Sequence, residues 1–242
     1  MVVIAGIPAR FASRRFPGKP LALIDGVPLV VRVAQAVRQG GVADAVVVAT
    51  DDRRIAELAE NIGVRVCLSQ HCFRSGSDRL AAALAGQSAE IVLNVQADEA
   101  LVDRAVLQAA LLALDRAPEL AIGTVARPLR DGEHDDPNTV KVVFDRRGRA
   151  EAFGRRAPLR GRPWAHVGVY AYRRWALDRF ASLPSSVGEK REDLEQMRAM
   201  ENGLAIQVEP VEAALRAVDC PADLARVEAL LVDRDRRRVD PG

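Results

Sequence analysis

The sequence predicts an α/β protein with a doubly wound, mostly parallel sheet flanked by helices, and three observations carry that prediction. The first 120 residues alternate short, wholly apolar runs with amphipathic ones, the rhythm of a parallel sheet wrapped by helices. Glycine closes the amphipathic runs, as at Gly40-Gly41 and Gly63. At 242 residues and 49% hydrophobic, the chain has the size and the apolar content for one domain with a packed core.

In order, residues 2–8 read as a first buried strand, and a loop rich in Arg, Ser, Pro and Gly follows over 9–20. Residues 28–39 have helical periodicity, and 45–49 form a second apolar strand. Over 51–62, Ile55, Leu58, Ala59 and Ile62 share one helical face. Strands at 64–68 and 91–95 bracket a helix at 77–85, and another helix covers 103–115. After residue 120 the rhythm changes. Strands are expected at 120–127, 139–144 and 166–172, with a turn at 145–148. Helices follow at 174–182 and 193–202, then a strand at 204–211, a helix at 222–231 and a frayed, solvated end over 233–242. No repeat or long linker interrupts the chain, so a single domain with a small second-half lobe is expected.

Composition excludes several functions. A net charge of +2 and 4% aromatic residues offer no basic stripe or stacking platform for nucleic acid. No apolar run approaches the ~20 residues of a membrane span, and the start of the chain lacks a signal peptide's basic region, which makes the cytoplasm the expected location. Cys67, Cys72 and Cys220 are scattered and odd in number, which argues against a disulfide framework. His71, His134 and His166 show no zinc-ligand spacing, and His71 beside Cys72 is the nearest approach to a metal pair. Only Lys19, Lys141 and Lys190 are lysines, among 35 basic residues. In so arginine-biased a chain, each marks a place where a compact ammonium is wanted.

Ligands of open α/β sheets sit beyond the carboxyl ends of the strands. The loop there, Ile7 to Pro20, carries Arg10, Arg14, Arg15 and Lys19 on a Gly- and Pro-containing turn, a concentration of donors suited to a polyphosphate. It is neither a Walker A loop nor a dinucleotide fingerprint. Asp98, at the end of the 91–95 strand, points into the same crevice and suits Mg²⁺, with Glu99 as its neighbour.

The motifs that continue from these resemble the 3-deoxy-manno-octulosonate (Kdo) cytidylyltransferases, or CMP-Kdo synthetases, over nearly the whole chain. They are I-P-A-R-F-A-S-R-R-F-P-G-K-P (7–20), V-V-V-A-T-D-D-R-R-I-A (46–56), S-G-S-D-R-L (75–80) and I-V-L-N-V-Q-A-D-E (91–99). D-P-N-T-V-K-V-V (136–143), H-V-G-V-Y-A-Y-R (166–173), L-E-Q-M-R-A-M-E-N-G (194–203) and V-D-C-P-A-D-L-A-R-V (218–227) complete the set.

The resemblance implies a nucleotide-diphospho-sugar transferase-like fold and the reaction of CTP with Kdo to CMP-Kdo and pyrophosphate. It implies that Arg10, Arg15 and Lys19 hold the triphosphate, that Asp98 and Asp219 bind Mg²⁺, and that Arg10, Lys19 and Asp98 serve catalysis. Ala9, Ser75, Gly76, Arg79 and Gln96 match positions lining the cytidine pocket. His166, Glu195 and Gln196 match sugar contacts, Tyr170 shares the strand of His166, and Arg155 matches the arginine that binds the sugar carboxylate. The resemblance further implies a CTP-binding half over 1–120, a sugar-acid and dimerisation half over 121–232, and a homodimer.

The chain departs from the family pattern at Ala97 and Ala100, where Gly and Pro are usual, and at Gly154, where Ser is usual. The segment 157–165 is short, and Arg155 and Arg156 compete for the carboxylate-binding position. No glycine occurs in 213–217. Three of these four departures fall near the sugar or the second metal ligand, so a different acid acceptor is the alternative reading. A CTP-binding member without turnover is a second alternative.

Overall fold

A computed structural model describes residues 1–13, 15–155, 159–213 and 215–239, with side chains described through Asp233. In chain order the strands are β1 (Val3–Ala9), β2 (Leu23–Ile24), β3 (Val27–Pro28), β4 (Ala45–Thr50), β5 (Arg65–Leu68), β6 (Ile91–Val95), β7 (Ile122–Arg127), β8 (Lys141–Phe144), β9 (Ala150–Gly154), β10 (Trp164–Arg173) and β11 (Ile206–Pro210). The helices are α1 (Leu29–Gly40), α2 (Arg53–Asn61), α3 (Gly76–Ala83), α4 (Arg104–Arg116), α5 (Arg174–Ser182), α6 (Val187–Glu192), α7 (Gln196–Glu201) and α8 (Ala222–Val239).

Seven strands run across one sheet in the order β11-β7-β10-β6-β1-β4-β5, and β8 and β9 extend it from β10. β1 is parallel to β4 and β6, β4 to β5, and β7 to β11. β10 is antiparallel to both β6 and β7, so it is the single reversed strand among the seven. The expectation of a mostly parallel sheet flanked by helices therefore describes the molecule.

The apolar runs bury both faces of the sheet. Leu29, Val33 and Val37 of α1, Ile55 of α2, Leu107 of α4 and Val227 of α8 cover one face with Ala5, Ile7 and Leu93. Leu84 beyond α3, Leu177 and Phe180 of α5 and Ala199 of α7 cover the other with Ile4, Val92 and Tyr172. Caps end these helices where side chains can meet orphan backbone groups: Asp52, Ser75 and Asp103 each accept an N–H at a helix start. A single guanidinium knits the second layer together. Arg198 is fully buried and forks onto both oxygens of Asp78, at 2.8 and 3.1 Å, while also pairing with Glu189 and lying 4.3 Å from the Phe180 ring centre.

The sequence reading placed no element at β2, β3, β9 or α6. Its helix over 193–202 shortens to α7, because Asp193 adopts a left-handed φ of 54° as the C-cap of the preceding α6. Ser186 and Glu189 form a capping box that starts α6 in a stretch without apolar periodicity. α8 does not stop at residue 231 but continues through Val239, in keeping with the helix propensity of its arginines; residues 240–242 lie outside the described chain.

Candidate functional site

A cavity of about 360 Å³ opens beyond the carboxyl ends of β1 and β6. β10 runs the opposite way, so its first half extends past the end of β6 and walls the same space. Gln96 donates its N–H to Gly168 O, and Glu99 accepts the Gly168 N–H at 2.6 Å. A Cβ on Gly168 would lie 2.9 Å from that carboxylate oxygen, so the close approach requires glycine.

The loop after β1 folds over the cavity mouth. Phe11 N–H is held by the Asp51 carboxylate at 3.0 Å, and Gly18, in the left-handed region, returns its N–H to Phe11 O. This delivers two cations onto two acids. Lys19 Nζ lies 2.5 Å from Asp98, and Arg15 reaches Asp219 at 2.7 Å and Asn138 Oδ1 at 2.7 Å. Arg10 is exposed on the rim without an ion-pair partner among the described residues. Arg14 lies outside the described residues.

Asp98 and Asp219, 121 positions apart in the chain, meet because Val218 donates its N–H to Asp98 O. Asp223, in the first turn of α8, accepts the N–H groups of Asp219 and Cys220 at 3.0 Å and so fixes the backbone before the helix, while the Asp219 side chain lines the cavity. Burial raises the pKa of Asp219, and the nearby Asp98 charge raises it further, against the opposing pull of Lys19, Arg15 and Arg155. Glu99 is different: burial, with Asp98 behind it, pushes its carboxyl up to about 7, and it is committed to Gly168. Asp98 and Asp219 are thus the pair that could hold a divalent cation. Among the described residues no group of three or more His, Cys, Asp or Glu side chains could do so, so a cation held by this pair would complete its shell with other oxygens, such as those of water or a bound phosphate.

The start of α3 forms a second wall. Gly76 packs so closely that a Cβ would stand 2.9 Å from Pro8 and 3.1 Å from the Gln96 amide nitrogen. Arg79 is buried, spends one nitrogen on Asp51 at 2.9 Å and stacks 5.1 Å from the Phe73 ring centre. Its NH1 nitrogen is buried with no hydrogen-bond partner, so a donor stands ready on a cavity-lining side chain. Ala9, which was expected on this wall, instead ends β1 with its methyl group in the core.

On the far side, Arg155 follows β9 and directs its guanidinium at three backbone carbonyls: Glu192 at 3.1 Å, Pro137 at 3.4 Å and Asp193 at 3.4 Å. It has no carboxylate partner among the described residues. Arg156 lies outside the described residues. Tyr170 and Gln196 are buried and line the cavity. Glu195 accepts from Ser77 N at 3.1 Å, Ser77 Oγ at 3.0 Å and Gln96 Nε2 at 3.3 Å, so it joins the start of α3 to the end of β6.

His166 has a definable proton. Thr124 Oγ1 donates its one hydrogen to Val169 O at 2.8 Å, so it accepts from His166 Nε2 at 3.0 Å. The imidazole is therefore the Nε2–H tautomer, with Nδ1 left as an acceptor. Burial, assisted by Arg155, lowers its pKa to about 3. The unfolded chain takes up this proton near pH 6.5, and the folded protein does so only near 3. Stability is full above the unfolded value and is lost as pH falls through that window. Wild type should therefore lose roughly 1.5–2 kcal/mol more than His166→Gln between pH 6.5 and 5, read from urea unfolding. Coincident acid limbs for the two proteins would contradict this assignment.

Sequence reasoning missed Asn138, Asp223 and the buried Arg127–Glu133 pair on the cavity wall (2.6 Å). The scarcity of lysine did signal two places of interest, Lys19 at the mouth and Lys141 behind Arg155, whereas Lys190 is exposed.

Residues 4–207 match the family model described as cytidylyltransferase. The chain is 42% identical to the 3-deoxy-manno-octulosonate cytidylyltransferase of Syntrophotalea carbinolica, over 96% of this chain and 99% of that one. It is 43% identical to the enzyme of the same name from Methylorubrum extorquens, over 94% and 96%. Among solved structures it resembles a CMP:2-keto-3-deoxy-manno-octonic acid synthetase complexed with CTP, with a TM-score of 0.87, 34% identity and coverage of 97% and 100%. The inositol-1-phosphate CTP transferase of T. maritima shares the fold, with a TM-score of 0.72 at 19% identity over 95% of this chain and 94% of that one.

Proposed function

The chain belongs to the cytidylyltransferases, and among them to the 3-deoxy-manno-octulosonate cytidylyltransferases, and on that premise we propose that it transfers CMP from CTP to the anomeric hydroxyl of Kdo with release of pyrophosphate. The observation that carries the reading is the pairing of Asp98 with Lys19 and of Asp219 with Arg15 at the cavity mouth. Two acids and two cations meeting where a nucleotide triphosphate would lie are what phosphoryl transfer needs.

Cytosine would enter beside α3, whose start Gly76 seats against Pro8 and Gln96, and the unpartnered NH1 of Arg79 can donate to a ring carbonyl. The triphosphate would lie along Arg10, Arg15 and Lys19, whose charge offsets that of the departing pyrophosphate. Asp98 and Asp219 supply hard oxygen ligands of like charge; burial first and the Asp98 charge second raise the pKa of Asp219, and a divalent cation bound there would favour its carboxylate form. Mg²⁺ held there supplies positive charge at the attacked phosphate and lowers the pKa of the attacking hydroxyl. Lys19 and Arg15 then exchange their carboxylate partners for phosphate oxygens. Arg155, lacking a carboxylate of its own, forks onto that of the sugar acid, while His166 Nδ1 accepts from a sugar hydroxyl alongside Tyr170 and Gln196.

The departures from the family pattern are compatible with this chemistry. Ala100 packs in the core and donates its N–H to Asp98 O at 3.0 Å, a bond that proline could not make. We take the chain as one nucleotidyltransferase domain, with a CTP-binding half over 1–120 and a sugar-acid and dimerisation half over 121–232. It acts in the cytoplasm as a homodimer, where CTP is at hand; no described helix is long and apolar enough to cross a membrane.

The test is pyrophosphate release from CTP and Mg²⁺, with and without Kdo. Release that requires Kdo is expected. Silence with Kdo, alongside intact CTP binding, would move the acceptor to another sugar acid.

A further inference from the structure

We propose that Lys141 is a positioning residue for the acid acceptor: its buried ammonium holds the main chain from which Arg155 reaches the acceptor carboxylate. The inference rests on the reading of Arg155 as the carboxylate clamp.

Lys141 opens β8, between Gly154 of β9 and Ala165 of β10, and is 2% exposed. Its neighbours in β8, Val142 and Val143, are apolar, and an apolar side chain would suit the position equally well by packing alone. A buried ammonium without a carboxylate is costly, and Lys141 has no ion pair within 4.0 Å among the described residues. Its Nζ instead donates to two carbonyls, Asp136 O at 2.6 Å and Arg155 O at 2.9 Å. Asp136, Asp135 and Glu133 favour its charge from a distance, Arg155 opposes it, and burial lowers its pKa.

Those two carbonyls belong to the two segments that shape the acceptor side. One is the main chain of Arg155 itself. The other starts the 136–138 turn, in which Asp136 Oδ1 accepts the Asn138 N–H, Pro137 O receives Arg155 and Asn138 Oδ1 receives Arg15. The Arg155 guanidinium is located only by backbone oxygens. Loss of the clamp behind it would therefore let it wander by distances that a bidentate carboxylate contact does not tolerate. A compact ammonium on a flexible stem can meet two converging carbonyls from within the sheet. This gives a role to one of only three lysines in an arginine-rich chain.

The experiment is steady-state kinetics with MgCTP and Kdo on K141M, K141Q, R155A and K141M/R155A, with CTP affinity measured by calorimetry. K141M should raise the Kdo KM about tenfold while CTP KM and Kd stay within twofold, and K141Q, which keeps a donor, should fall between it and wild type. The double variant should be no worse than R155A, because a residue acting through Arg155 has nothing left to position. Losses that multiply in the double variant, a parallel fall in CTP affinity, or an unchanged Kdo KM in K141M would each overturn the proposal. Should K141M fail to fold, the same comparisons with K141Q decide. An unchanged Kdo KM in R155A would instead overturn the reading of Arg155 as the clamp.

Discussion

Asp98→Asn should lower kcat by about 10³-fold or more while leaving CTP binding measurable. The substitution keeps the size of the side chain and removes its charge. In the native protein Lys19 sits 2.5 Å from this carboxylate, so a triphosphate must draw the ammonium away from Asp98. With asparagine there, Lys19 is free for phosphate, and CTP without metal should bind at least as tightly as it does to wild type. Turnover should nevertheless collapse, because Asp219 alone leaves a divalent cation with one protein carboxylate. Calorimetry of CTP in chelator beside single-turnover kinetics separates the two effects. A kcat within tenfold of wild type would remove Asp98 from the chemistry.

Arg155→Ala should raise the acceptor KM by roughly 30- to 150-fold, from the loss of about 2–3 kcal/mol of charge-assisted binding. The CTP KM should change little, since no nucleotide-side group is bonded to this guanidinium: its partners are carbonyls of Pro137, Glu192 and Asp193. Stability should also change little, because backbone carbonyls near a cavity can turn to water. An acceptor KM within threefold of wild type would transfer the carboxylate clamp to another cation.

The fold was largely legible, for reasons that differ by element. Strand β6 was found residue for residue, because a run of four apolar residues broken only by Asn94 and bounded by polar ones admits little else. α5 was found as well, with its apolar face at Ala176, Leu177 and Phe180. α6 was invisible to periodicity, since a six-residue helix held by a capping box has fewer than two turns in which to display a face. At the site, the cations of the loop after β1 could be read because charge concentrates there along the chain. Asp219 could be named only through its motif. Nothing near it in sequence says that Asp223 takes its backbone N–H while its own side chain lines the cavity beside Asp98. For Glu195 the sugar contact was implied by the resemblance alone; its bonds to Ser77 and Gln96 join elements far apart in the chain and could not be read from residues near it.

The reversed strand β10 has a consequence for how the molecule is made. Strands β1, β4, β5 and β6 are complete once the first 95 residues have left the ribosome, yet one edge of β6 then carries unpaired backbone groups. β7 cannot cover that edge, because β10 stands between them in the finished sheet. The half-built sheet must wait for Trp164 to Arg173 to be synthesised and threaded into the gap, a long-range closure of the kind that slows folding. The same ten residues bring His166 and Gly168 to the cavity. Closing the sheet and completing the cavity are one event, so a nascent chain cannot hold the finished cavity before that strand is in place.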